Sequence, residues 1–74
     1  MKLQAEFEER GYKVQAFMPT STKEPLEWIV KAFKDGKLVR ELKIPMHHEP
    51  RFGIDSIDIQ ILEEETTKLM ESLP

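Results

Sequence analysis

Apolar and polar residues alternate along the chain between residues 26 and 46, which is the pattern of half-buried strands. Two runs rich in strand-forming residues, LEWIVKAF and KLVRELKI, flank the turn sequence KDGK. Asp-Gly is typical of hairpin turns because it supplies residues that accept positive φ. The pattern therefore predicts a β-hairpin, and the rest of the chain is expected to pack around it.

The length of the hairpin loop decides which side chains share a face of the sheet. A three-residue loop over residues 34–36, with its glycine as a left-handed bulge residue, pairs Trp28 with Leu42. A two-residue Asp-Gly loop would instead set Trp28 opposite Lys43 and mix apolar with charged residues. We predict the three-residue loop, which leaves Arg40 as the one misfit on the core face.

Residues 1–18 are compatible with two structures. As a hairpin with a four-residue loop at residues 8–11, the chain pairs Phe7 with Tyr12 and keeps further apolar pairs on the same face. As a helix, LQAEFEER has high propensity and Gly11 would cap its C-terminus. The hairpin is favoured because a helix would bury only two apolar side chains and lacks an N-cap.

The pattern becomes helical near the C-terminus of the sequence. Asp55 or Ser56 can act as N-cap, and Asp58 adds negative charge to the first turn. A short strand over residues 57–61 is the alternative, but it would run into a helix without a capping residue. We predict one amphipathic helix of about 18 residues, because apolar side chains recur at helical spacing: Ile59, Leu62, Leu69 and Leu73, with Met70 beside them.

These elements predict a single α+β domain over residues 1–74. Its four-stranded antiparallel meander sheet is covered on one face by a single C-terminal helix, in the order β-β-β-β-α; the alternative order is α-β-β-β-α. The predicted core consists of the apolar side chains on the covered face and on the helix: Leu3, Ala5, Phe7, Tyr12, Val14, Ala16, Leu26, Trp28, Val30, Ala32, Leu38, Leu42, Ile44, Ile59, Leu62, Leu69, Met70 and Leu73.

Composition narrows the class of protein. Hydrophobic residues make up 39% and charged residues 34%, which is typical of a soluble globular chain. The sequence has no cysteine, so it holds neither disulfides nor thiolate-bound metal, and this fits a cytoplasmic location. The start, MKLQAEFEER, has no apolar segment of the signal-peptide kind, so we expect neither secretion nor a membrane association.

Charge is distributed unevenly along the chain. Residues 31–43 hold five basic and two acidic side chains, a net charge of +3, whereas residues 55–73 hold one basic and six acidic side chains, a net charge of −5. The hairpin is thus basic and the helix acidic, so the molecule has one positively charged and one negatively charged segment.

The sheet face away from the helix is the candidate functional surface. One helix cannot cover both faces of a sheet, and the uncovered face is expected to carry Phe17, Ile29, Phe33 and Val39. Exposed apolar patches often mark interaction sites. We therefore expect a non-enzymatic interaction module that binds a protein partner or itself, as a homodimer, through this open face.

The basic hairpin supports an alternative function. A phenylalanine ring between cations can stack on a base while the cations contact phosphates, which is how single-stranded nucleic acid is bound. The residues involved would be Lys31, Phe33, Lys34, Lys37 and Lys43. The acidic character of the whole chain argues against this interpretation.

Enzymatic activity is not expected. His47, His48 and Glu49 are of the metal-ligating type, but three consecutive residues in a loop rarely converge on one ion without a further ligand. Three glycines do not form a phosphate-binding loop, and no nucleophile stands in a strand-turn-helix context. We predict no catalytic residue, no metal site and no cofactor.

Overall fold

The protein forms an open antiparallel sheet followed by one helix. A computed structural model describes residues 1–50 and 53–74. The strands are β1 (Lys2–Glu9), β2 (Tyr12–Met18), β3 (Glu27–Lys34) and β4 (Lys37–Pro45), paired in that order, and the helix α1 spans Ser56–Glu71. The predicted β-β-β-β-α fold is confirmed, so the helical alternative for the N-terminal residues and the strand alternative for residues 57–61 are wrong. No helix in the described part of the chain is long and apolar enough to cross a membrane.

The first hairpin turns over two residues rather than the predicted four. Arg10 and Gly11 both have positive φ, at 52° and 82°, which is the conformation that two-residue hairpin turns need. Phe7 consequently pairs with Val14 instead of Tyr12. A shift of two residues leaves the side chains between residues 5 and 16 on their predicted faces, because side chains alternate with a period of two.

The second hairpin also uses the two-residue turn that the sequence argument rejected. Asp35 and Gly36 have φ values of 53° and 78°. A bulge next to the turn then adds one residue to β4, so that Phe33 pairs with Leu38 but Ala32 pairs with Arg40. The bulge restores the expected faces along the rest of the hairpin, and the predicted three-residue loop is wrong because the extra residue lies in the strand.

The core lies between α1 and the face of the sheet that the helix covers. Trp28 is at its centre and is 1% exposed. The buried apolar residues are Tyr12, Val14, Ala16, Trp28, Val30, Ala32, Ile44, Met46, Leu69, Met70 and Leu73, with Leu42 and Leu62 packed against them. Six residues predicted for the core are exposed instead: Leu3, Ala5, Phe7, Leu26, Leu38 and Ile59.

Strand β1 accounts for much of this difference, since all eight of its residues are exposed. Its position at the edge of the sheet leaves it with one neighbouring strand, and α1 does not bury its covered-face residues Ala5 and Phe7. A bulge between Leu3 and Ala5 changes the face of Leu3, which pairs with Phe17 on the side away from the helix.

The helix α1 is capped by Asp55 at its start and by Ser72 at its end. Asp55 is the N-cap, and its carboxylate accepts a hydrogen bond of 2.8 Å from the backbone N–H of Ile57. At the other end, the N–H of Ser72 donates to the carbonyl of Lys68. Asp58 is the residue of the first turn that faces inward, so the helix is rotated relative to the prediction that Ile59 belongs to the core.

The first hairpin is attached to the C-terminal end of the helix. The guanidinium of Arg10 donates to the carbonyls of Met70 and Leu73, and the hydroxyl of Tyr12 donates to the carbonyl of Pro74 over 2.9 Å. Cationic groups are favourable at this end because the last helical carbonyls carry partial negative charge. The turn of the hairpin thereby fixes where the helix ends.

Candidate interaction surface

The face of the sheet away from α1, here called the outer face, is left uncovered by the described elements. Alternate residues of the strands contribute to it, because the residues between them point into the core. Directly paired residues of neighbouring strands share a face, so the strand registers arrange the outer side chains in rows across the sheet.

One of these rows is apolar across three strands. Leu3 on β1 pairs with Phe17 on β2, and Phe17 pairs with Ile29 on β3. Leu3 is 42% exposed, while Phe17 and Ile29 are half-buried. Lys43 on β4 ends the row. We call Leu3, Phe17 and Ile29 the apolar row; with strands about 4.8 Å apart it extends over roughly 10 Å.

The next row is polar and limits the size of the apolar patch. It consists of the paired residues Glu6, Gln15, Lys31 and Glu41. The ammonium of Lys31 lies 5.6 Å from the centre of the Phe17 ring, within the range of a cation–π contact. The lysine therefore borders the apolar row and partly shields its largest member.

A third row lies near the turns and combines Lys13 with Phe33 and Leu38. The ammonium of Lys13 is 2.9 Å from the carboxylate of Glu6. This hydrogen bond, and then the charge of the same carboxylate, raise the pKa of Lys13 above its usual value. The charge of Lys13 is thus paired with Glu6 along the outer face.

Two of the four residues predicted to bind a partner are neighbours in the structure, and the other two lie apart from them. Phe17 and Ile29 are direct neighbours in the apolar row, and Leu3, which the sequence argument assigned to the core, joins them. Phe33 stands two rows away, beyond the polar row. Val39 is the extra residue at the β4 bulge and is 43% exposed. Leu3 was missed because no sequence signal marked the bulge that changes its face.

The five residues predicted to bind nucleic acid lie on both faces of the sheet. Lys31, Phe33 and Lys43 belong to the outer face. Lys34 instead pairs with Lys37, and its ammonium lies 4.9 Å from the centre of the Tyr12 ring, which belongs to the core side of the sheet. Lys34 and Lys37 thus lie on the opposite face of the sheet from Phe33.

The loop that carries His47 and His48 is fixed by a carboxylate of the helix. Asp58 is 1% exposed and accepts hydrogen bonds of 3.0 Å from the backbone N–H groups of both histidines, and its carboxylate lies 3.2 Å from Nδ1 of His48. Burial alone would raise the pKa of Asp58, but these contacts outweigh it and lower that pKa below its usual value. Asp58 thus connects the end of β4 to the start of α1.

The imidazole of His48 lies near the carboxylates of Asp55 and Asp58. Within residues 1–50 and 53–74, no three histidine, cysteine or carboxylate side chains are placed to hold one ion. Sequence reasoning placed Asp58 in the first turn for its charge but missed its burial. One sequence signal could have indicated this burial. His47 and His48 follow a strand that ends at a proline, so their backbone N–H groups need an acceptor outside the sheet.

Comparison with known proteins identifies no relative: no family model, no curated protein and no solved structure matches this chain. The function is therefore inferred from the geometry of the surface.

Proposed function

We propose that this chain is a non-enzymatic interaction module that forms a homodimer through the outer face, with the apolar row at the centre of the contact. The observation that supports it is the continuous line of Leu3, Phe17 and Ile29 across three adjacent strands, which no described element covers. Burying such a line against another surface removes apolar area from water, which is the main driving force of association.

The topology makes a second copy a suitable partner. Strands β2 and β3 are the two central strands, so a two-fold axis parallel to them exchanges β2 with β3. In that arrangement Phe17 of one copy packs against Ile29 of the other. Lys13 of one copy also comes opposite Phe33 of the other, which favours a cation–π contact.

The charges of the outer face are compatible with self-association. Four acidic and three basic side chains occupy it, so two faces of one sign do not meet. They are Glu6, Glu8, Lys13, Glu27, Lys31, Glu41 and Lys43. The two-fold axis sets Glu6 opposite Glu41 of the other copy, and Lys13 and Lys31 beside them offset this pair of carboxylates.

The size of the face indicates a weak dimer. Four strands of about eight residues cover roughly 19 Å by 27 Å, or about 500 Å². A stable interface of standard size buries about 800 Å² on each partner. We therefore expect a reversible dimer in the micromolar range or weaker. A chain without cysteine forms no disulfide and so does not depend on an oxidising compartment, and we propose that the dimer acts in the cytoplasm.

Sedimentation equilibrium over a wide concentration range tests the proposal. The mass should rise from 8.7 kDa toward twice that value. Ile29→Glu should keep the chain monomeric and folded, because the new carboxylate faces Lys43 within the sheet. Ile57→Glu is the matched control: Ile57 is 57% exposed on the helix, and this variant should dimerise normally.

Three results would overturn the homodimer. The first is a mass that stays at 8.7 kDa at every concentration. The second is equal loss of association in the two variants. The third is unfolding of Ile29→Glu, since that would make Ile29 part of the core rather than part of a contact surface.

Single-stranded nucleic-acid binding is the second candidate, because Lys31, Phe33 and Lys43 share the outer face. Its weakness is the position of Lys34 and Lys37 on the other side and the acidic residues mixed among the cations. Retention on single-stranded DNA or RNA at low salt, lost when Lys31 and Lys43 are changed to Gln, would support it over the homodimer.

A further inference from the structure

A second uncovered surface lies on the other side of the sheet, between strand β1 and helix α1. It consists of two connected depressions of about 310 Å³ and 480 Å³, which share Phe7, Thr66 and Thr67. We call this surface the β1–α1 groove; its floor and walls near the middle are formed by Ala5, Phe7, Val14, Ala16, Leu62 and Thr66. None of these residues belongs to the outer face.

The groove runs along a strand that has a free edge. The sheet order leaves β1 with β2 as its neighbour on one side, and the described chain places no strand on the other side. A free edge offers backbone N–H and C=O groups to an added strand, and alternate side chains of that strand would reach the groove. Phe7, which is 40% exposed, provides the apolar contact at this point.

Acidic side chains surround the apolar floor. Glu9, Glu63 and Glu71 line the groove, and the described residues include no ion-pair partner for any of their carboxylates. The one basic residue in the lining, Arg10, is already engaged with the carbonyls at the end of α1. The groove is therefore apolar at its centre and negatively charged at its margin.

We propose that the β1–α1 groove binds an extended, basic and apolar segment of a partner protein, which adds to β1 as a fifth strand. The apolar side chains of the segment pack beside Phe7, and its lysine or arginine side chains reach Glu9, Glu63 and Glu71. The same carboxylates repel nucleic acid. A second β1 is also disfavoured as occupant, because it would bring Glu6, Glu8 and Glu9 of two copies together.

The test uses a blocked synthetic nonapeptide, Val-Thr-Lys-Thr-Val-Thr-Lys-Thr-Val, in which valine and lysine occupy every second position and therefore reach the same face of the added strand. It is titrated into the folded protein with amide chemical shifts as readout. The largest shifts should fall on β1 and on helix residues 62–67. The affinity should fall on the order of tenfold between low salt and ~0.3 M salt, since exposed charges are screened. A peptide with glutamate in place of lysine should not bind.

Two sets of variants locate the site. Thr66→Phe fills the groove and should weaken the lysine–valine peptide about tenfold or more. Gln60→Phe adds the same ring at an exposed position of the helix and should bind the peptide as the unmodified protein does. If Thr66→Phe unfolds the chain, the double variant Glu63→Lys with Glu71→Lys replaces it, because both positions are exposed and it should cause a similar loss.

Several outcomes would overturn this inference. They are equal binding of the lysine and glutamate peptides, shifts confined to β4 or to the outer face, or no binding at low salt. Loss of the concentration-dependent mass in Thr66→Phe would show that a second copy occupies the groove. The homodimer is tested separately, because Ile29→Glu should leave peptide binding unchanged.

Discussion

The two hairpins of this protein have the same kind of turn but differ in where their bulges lie. Both turn over a residue with positive φ followed by glycine, at Arg10-Gly11 and Asp35-Gly36. In the first hairpin the bulge is far from the turn, between Leu3 and Ala5; in the second it adjoins the turn. Each bulge moves one leucine, Leu3 or Leu38, from the predicted core side to the outer face.

This difference shows how one inserted residue can build a surface without disturbing a core. In the first hairpin, the residues between the bulge and the turn keep their predicted faces. In the second, the residues of β4 from Arg40 to its end keep theirs. Only the short segment on the other side of each bulge changes face. The outer face owes two of its apolar residues to these insertions.

The hairpins also attach to opposite ends of the helix by different chemistry. The first uses a guanidinium and a hydroxyl that donate to the last carbonyls of the chain, whereas the second relies on the buried carboxylate of Asp58. Both attachments involve a charged group, but Asp58 is 1% exposed whereas Arg10 is exposed, and hydrogen bonds to a charge are stronger where water is excluded. The second attachment should therefore be the stronger.

Among the substitutions, breaking the second attachment should lower the stability of the fold most. Asp58→Ala leaves the N–H groups of His47 and His48 without their acceptor, and we expect the free energy of unfolding to fall by roughly 2–4 kcal/mol. Urea denaturation measures this. Arg10→Ala is the comparison, with an expected loss of about 1 kcal/mol. A larger loss in Arg10→Ala would reverse the ranking of the two attachments.

The Asp58 attachment should also depend on pH. Its pKa in the folded protein lies below the unfolded value, so its stabilising contribution is complete above about pH 4 and is lost as pH falls through the folded pKa. Asp58→Asn removes this titration, and its stability should therefore decline less between about pH 5 and pH 3 than that of the unmodified protein. Parallel curves for the two proteins would contradict the assignment.

Substitution of the first turn residue by Asn should stabilise one hairpin and destabilise the other. Asn-Gly suits a two-residue turn better than either native pair, so Asp35→Asn should stabilise the protein by about 0.5 kcal/mol. Arg10→Asn gains the same turn preference but loses the contacts with Met70 and Leu73, for a net loss of about 0.5–1 kcal/mol. Thermal unfolding measures both; a gain in both variants would mean that the Arg10 contacts contribute nothing.

Deleting the bulge residue Val39 should also have only a small effect on stability. The shortened strand can keep Leu38 opposite Phe33 and Arg40 opposite Ala32 in a regular ladder, so stability should change by less than about 1 kcal/mol. Deleting Lys31 from a central strand is the contrast, because it would reverse the faces of half of β3 and should unfold the chain. Equal damage from the two deletions would show that the bulge is required for the fold.

Much of the architecture could be predicted because it depends on local patterns. The period-two runs fixed the strands, Asp55 fixed the start of the helix, and the face that holds Trp28 and Val30 was evident from alternation. The register error of two residues between β1 and β2 did not change which side chains were assigned to the core, because a shift of two residues keeps each side chain on the same face.

The candidate site was less accessible to prediction than the fold. Phe17 and Ile29 could be assigned to the outer face from alternation, but their contact with each other depends on the register between β2 and β3, which no local signal encodes. The assignment of Lys34 and Lys37 to the same surface as Phe33 was wrong, because the two-residue turn makes them a direct pair on the other side.

The sequence alone determined the order of the elements, the covered face of the central strands and the polarity between a basic hairpin and an acidic helix, since these follow from the period and the charge of short segments. Only the tertiary structure decided the positions of the bulges, the inward rotation of Asp58 and the exposure of β1. The physical reason is that these features depend on which residues meet across the sheet and on how far one helix of 16 residues can extend over four strands.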